Sequence, residues 1–156
     1  MKMLYSYENN IDSSYNNSHI TYKMILDKDY DSIKITFEYS PKVIESDEKA
    51  KDIICSIIDR HVIGDDKERE KNNWEAYKGL KNLLTITLYD SKGFRGCAHR
   101  QEQYQEHIIT ENMASPGIIE GIIPKGEFII KISIHALVTK ECKYNLKVYD
   151  VEDENE

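Results

Sequence analysis

The chain has 156 residues, 40% hydrophobic and 31% charged, enough for one globular domain and cramped for two. Its 21 basic and 28 acidic side chains leave a net charge of −7. That balance speaks against a nucleic-acid binder, which needs clustered cations, and against docking on an anionic membrane surface. Three cysteines, Cys55, Cys97 and Cys142, are an odd number with no Cys-x-x-Cys pair. No structural zinc site is expected from them, and no cofactor; the expectation is a reduced, cytoplasmic protein. The opening residues hold no apolar run of signal-peptide length, and no stretch approaches a membrane span.

Residues 1–18 are rich in Tyr, Asn and Ser without a hydrophobic period, and are read as a loosely ordered arm. Its tyrosines, Tyr5, Tyr7 and Tyr15, are available to dock onto the domain. The domain itself is expected over 19–150. Ile20, Tyr22, Met24 and Leu26 alternate with Thr21, Lys23 and Ile25, and an acidic turn at Asp27–Asp31 follows. Ile33, Ile35, Phe37 and Tyr39 then repeat the alternation up to Ser40-Pro41, as a half-buried strand does.

The period changes at residues 46–63, where Ala50, Ile53, Ile54, Ile57, Ile58 and Val62 recur at helical spacing. Ser46 is placed to cap this helix, and Asp47 and Glu48 sit where its dipole favours acids. The isoleucine face is read as a plug over one end or one sheet of the domain. The charged stretch to Lys81 contains the only tryptophan, Trp74, and completes a helical insertion of about 46–81.

Period two then returns. Leu84, Ile86 and Leu88 form one strand face, the even positions from Phe128 to Val138 a longer one, and Cys142, Tyr144, Leu146 and Val148 the last. Ser115-Pro116-Gly117 and Pro124-Lys125-Gly126 supply tight turns. Residues 151–156 form an acidic tail. Branched and aromatic faces of this kind must be covered by an opposing sheet. The expected architecture is an all-β, two-sheet sandwich of jelly-roll type with one inserted amphipathic helix.

Two segments carry a resemblance. The first is Leu83-Leu84-Thr85-Ile86-Thr87-Leu88-Tyr89-Asp90 running into Gly93-Phe94-Arg95-Gly96-Cys97-Ala98-His99-Arg100; the second is Ala114-Ser115-Pro116-Gly117 through Pro124-Lys125-Gly126-Glu127-Phe128. Together they resemble the N-terminal jelly-roll-like β-sandwich of CehA/McbA-type metallohydrolases, where it precedes a catalytic PHP phosphoesterase domain. The resemblance spans about residues 20–150. It implies an accessory fold without the family's chemistry, because these residues hold no His-x-His metal motif and the catalytic domain is not expected within them. It also implies a partner, a separately encoded PHP-type hydrolase.

Three places hold chemistry-bearing residues. Asp27, Asp29, Asp31 and Glu38 match positions 1, 3, 5 and 12 of a calcium loop, but Ser32 stands where the template wants glycine and a strand follows. An acidic hairpin turn without metal is expected there. Cys97 and His99, two apart, share a face in an extended chain and have the composition of a nucleophile–base pair, yet no third orienting group is evident. Phe94, Arg95, His99 and Arg100 form the densest basic and aromatic group in the chain, read either as the candidate binding cluster of a Gly93–Arg100 loop for a small anionic or sugar ligand or, in the favoured reading of Arg95, as a structural arginine bonding loop carbonyls. The function expected is therefore a non-catalytic accessory or binding domain. A small hydrolase using the Arg95–Arg100 loop and a carbohydrate-binding module are the alternatives.

Overall fold

The computed structural model describes residues 1–43, 47–77 and 81–151. Eight strands run in chain order: β1 (Lys2–Asp12), β2 (Ser18–Leu26), β3 (Ser32–Ser40), β4 (Leu83–Asp90), β5 (Gly93–Ala98), β6 (Tyr104–Thr110), β7 (Gly126–Ala136) and β8 (Glu141–Asp150). Helices α1 (Asp47–His61) and α2 (Asp66–Asn72) lie between β3 and β4, followed by a 3-10 turn at Trp74–Tyr77.

The strands form two four-stranded sheets, β1-β8-β3-β6 and β2-β7-β4-β5. Every pairing is antiparallel. First pairs with eighth, second with seventh, third with sixth and fourth with fifth. A single long hairpin rolled on itself produces that order, which is the jelly roll. The alternation read from the sequence explains the packing. Ile33, Ile35, Phe37, Leu84, Ile86, Leu88, Phe128, Ile130, Ile132, Tyr144, Leu146 and Val148 all point between the sheets and are wholly buried.

Residues 2–12 are strand β1, not a loose arm. Past the bulge at Leu4 its inward positions are Tyr5, Tyr7, Asn9 and Ile11, while Met3 is exposed, so no apolar period shows. Cross-strand partners supply the missing signal: β1 pairs with β8 from Lys2↔Asp150 to Asp12↔Glu141. Tyr7 stacks on Tyr22 of the opposite sheet at 4.2 Å, and the Tyr22 and Tyr144 hydroxyls meet at 2.5 Å. The tyrosine hydroxyls find partners while the rings fill the edge between the sheets.

The insertion has a core of its own. Ala50, Ile54 and Ile58, one helical turn apart, bury against Val62 and Trp74 in a cluster separate from the sandwich core. Ala50, Ile54 and Ile58 thus close on α2 and the Trp74 turn, while Ile53 and Ile57 line a groove with Leu137 and Val138 at the end of the sandwich. Asp59 of α1 ties this unit to Lys67 and Lys71 of α2. Ser46, expected as the cap, and residues 152–156 of the acidic tail lie outside the described residues.

Asn82 fastens the insertion to the barrel end. It is wholly buried; its amide nitrogen donates to the Pro41 carbonyl and Thr139 hydroxyl, and its oxygen accepts from the amides of Val138 and Thr139. One side chain thereby joins the end of β3, the start of β4 and the β7–β8 turn.

Candidate functional site

Residues Gly93–Ala98, expected as a loop, form strand β5 at the end of its sheet. The register runs Leu88↔Gly96 and then Tyr89↔Phe94, so Arg95 is the extra residue of a β-bulge. A bulge re-aims one side chain. Phe94 stays on the outer face with its ring edge-on to Tyr89 at 5.8 Å, whereas Arg95 turns inward to Asp90.

Arg95 is buried, with 7% of its surface exposed. Its Nη1 donates to Asp90 Oδ2 at 2.7 Å and to the Ile122 carbonyl at 3.2 Å. Its Nη2 donates to the carbonyls of Ile119 and Gly121 at 2.9 and 2.8 Å, and Nε donates to Ile119 as well. Asp90 Oδ1 in turn accepts from the amides of Lys92 and Gly93, which closes the β4–β5 turn. The guanidinium fork is spent on Asp90 and loop carbonyls, the structural role weighed for Arg95 against that of a ligand contact. It is a clamp on the 119–122 segment.

Two glycines let that segment lie against β5. Gly96 and Gly117 both have positive φ, and a Cβ on Gly96 would sit 2.5 Å from the Gly117 carbonyl oxygen, while one on Gly117 would sit 2.5 Å from that of Cys97. Cys97 N donates to Gly117 O, and Ile119 N to Arg95 O. Any side chain at either glycine would force these backbones apart.

The four candidate binding residues do not converge. Phe94 and His99 are exposed on the outer face, Arg95 faces the other way, and Arg100 is half-buried past the end of β5. The structure instead brings together a set assembled from four strands. Cys97 Sγ lies 2.9 Å from His99 Nε2 and 3.3 Å from Thr87 Oγ1. Thr85 Oγ1 meets His135 Nε2 at 2.8 Å, and Ser133 Oγ meets His19 Nδ1 at 2.9 Å. The His99 and His135 rings are 5.9 Å apart. Thr85, Thr87 and Ser133 form a buried hydroxyl floor under the exposed histidines, with Lys131 opposite Thr87. Burial first, then the nearby His99 and His19, holds the His135 imidazole below the ordinary histidine pKa.

The sequence reading singled out Cys97 and His99 but missed Thr85, Thr87, Ser133, His19 and His135. Each stands at an outward position of a strand whose period was legible; what ties them together is strand order. Chemically, the set offers a thiol beside a base, with hydroxyls holding two of the three imidazoles. Among the described residues no three His, Cys, Asp or Glu side chains converge to hold a metal ion.

The acidic turn is committed to the protein. Asp27 accepts from the Tyr30 hydroxyl at 2.6 Å, and Asp29 from the Lys125 amide at 2.7 Å. Among the described residues three aromatic rings are markedly exposed, Tyr15, Phe94 and Tyr104, and they do not form a row: Phe94 is on β5 and Tyr104 on β6, in different sheets. Two grooves of about 440 and 550 Å³ flank α1, lined by Asp52 and Ile53 together with Thr139 and Lys140 of the β7–β8 turn.

No family model matches this chain, and no curated protein does. Among solved structures the chain is similar to PliG of Aeromonas hydrophila, a periplasmic lysozyme inhibitor of g-type lysozyme, at 8% identity over 92% of this chain and 82% of that one, with a TM-score of 0.35. It is similar also to a Sulfurospirillum deleyianum protein at 13% identity over 94% and 98% of the two chains, with a TM-score of 0.33. Likenesses this remote identify neither a family nor a ligand.

Proposed function

We propose that the protein is a non-catalytic binding domain that presents a rigid apolar edge to a protein partner. One observation carries this reading. The Asp90–Arg95 clamp locks residues 119–122 onto β5, yet Phe94, Ile119 and Ile122 remain 54%, 50% and 42% exposed. Exposed apolar side chains on a backbone already fixed lose little entropy on binding, which is how interface anchors gain their affinity. A clamp of five hydrogen bonds under an apolar edge fits recognition better than it fits solvent exposure alone.

The first partner to test is the PHP-type metallohydrolase suggested by the sequence resemblance. The experiment is co-purification with that hydrolase, and with native extract, of the wild-type chain and of a Phe94→Ser/Ile119→Ser double variant. A partner retained by the wild type and lost by an equally stable double variant supports the reading. Equal retention by both refutes the apolar edge as the binding surface. Turnover of hydrolase substrates by the purified chain, abolished in Cys97→Ser, would replace it with the enzyme alternative.

A further inference from the structure

The Cys97–His99 pair lies on the same outer face of the sheet as Phe94, and the proposed binding edge makes no use of its thiol or imidazole. We propose that Cys97 is a modification site: it undergoes thiol–disulfide exchange with low-molecular-weight disulfides that carry carboxylates, with His99 as the base. The inference does not depend on the binding role.

Three features point to it. First, Cys97 Sγ is already 2.9 Å from His99 Nε2, within reach for direct proton transfer, and Thr87 Oγ1 at 3.3 Å holds the sulfur from the other side. Second, the thiol is half-exposed on the outer face of the terminal strand of its sheet. The other two cysteines lack this arrangement. Cys142 is wholly buried, and burial pushes its thiol up to about 11; Cys55 sits half-buried on α1 with no imidazole bonded to it among the described residues. Third, the titratable groups that share this face are His19 and Lys23 of β2, Tyr89 of β4, Glu127, Lys131 and His135 of β7, and His99 just past β5; Lys23 and Glu127 pair with each other at 2.7 Å, which leaves Lys131 as the cation nearer Cys97. Lys131, opposite Thr87, favours an anionic reactant on this face in a chain whose net charge is −7.

The step balances without a further reagent. His99 Nε2 accepts the Cys97 proton as Sγ attacks one sulfur of the disulfide. A new S–S bond forms to Cys97, the original S–S bond breaks, and the departing thiolate takes the proton back from the imidazolium. Cys97 is oxidised and the released thiol is the reduced product.

The test uses the whole chain with oxidised glutathione as probe, and peptide mass mapping to follow each cysteine. At pH 7 Cys97 is expected to form the mixed disulfide at least about tenfold faster than Cys55, and His99→Gln to slow Cys97 by about tenfold or more. At about pH 10, where thiols ionise without a base, wild type and His99→Gln should react alike. That pair of pH values separates a base from a residue that merely opens access. Replacing oxidised glutathione by the uncharged hydroxyethyl disulfide should slow Cys97, and Lys131→Gln should erase the difference. Cys55 reacting as fast as Cys97, or His99→Gln leaving the pH 7 rate unchanged, would overturn the proposal. An uncharged disulfide reacting as fast as the charged one would overturn the preference for carboxylates.

Discussion

Asp90 and Arg95 lie 2.7 Å apart with both side chains almost fully out of water. Removing one member of such a pair leaves the other charge buried and three loop carbonyls short of a donor. Arg95→Ala should therefore cost about 3–5 kcal/mol in urea unfolding, and Arg95→Lys should recover only part, because an ammonium cannot span the same acceptors. An unchanged midpoint would free Arg95 for a ligand role. His107 is the other telling residue. It is wholly buried between the sheets, its Nε2 is 3.0 Å from Gln105 Oε1, and its Nδ1 has no hydrogen-bond partner among the described residues. Burial, reinforced by Arg100, pushes its pKa down to about 4 from an ordinary 6.5. Between those values the unfolded chain binds a proton that the folded chain does not. Stability is thus full above pH 6.5 and is lost as pH falls toward 4, by about 2–3 kcal/mol. His107→Leu should flatten that window relative to wild type in urea titrations run across it; parallel curves would show that His107 is not the titrating group.

Strand β1 matters out of proportion to its weak hydrophobic signal. It covers the β8 edge along ten paired positions and delivers Tyr7 to the stack with Tyr22. A chain lacking residues 1–12 would expose β8 as a bare edge and open the tyrosine seam between the sheets. Its melting temperature should fall, and light scattering should show association that the full chain lacks. A truncated chain that melts with the full one would make β1 an ornament. Strand β5 shows the reverse case. It has strong local signals, Gly93 and Gly96 around an aromatic and an arginine, that read as a loop. Those glycines serve a bulged strand because a second backbone, residues 117–119, lies against it at a distance only glycine permits.

The molecule as a whole contains two cores. The sandwich core draws on all eight strands, while the helical insertion closes around Ile54, Ile58 and Trp74. Trp74 is the only tryptophan, so its fluorescence reports on the insertion alone. The smaller cluster buries less apolar surface and should open first. Tryptophan emission is expected to shift at lower urea than the β-sheet circular dichroism signal. Coincident transitions would show that Asn82 and its hydrogen bonds couple the two cores into one cooperative unit.

Period-two alternation in an uncrowded sequence was enough to identify an all-β sandwich, five of its strands and the face of each that is buried. Alternation is local, because successive side chains point to opposite sides whatever the strand pairs with. The helix was legible for the same kind of reason. What alternation cannot contain is the identity of the neighbour. The tyrosines of β1 became core only through Tyr22 and Tyr144, far along the chain. Arg95 became a clamp only because a bulge turned it toward Asp90 and the 119–122 carbonyls. Cys97 and His99 were visible as a pair, since two residues apart in extended chain means one face. Their neighbours Thr85, Thr87, Ser133, His19 and His135 were set beside them by the order β2-β7-β4-β5, a property of the rolled hairpin and not of any one segment.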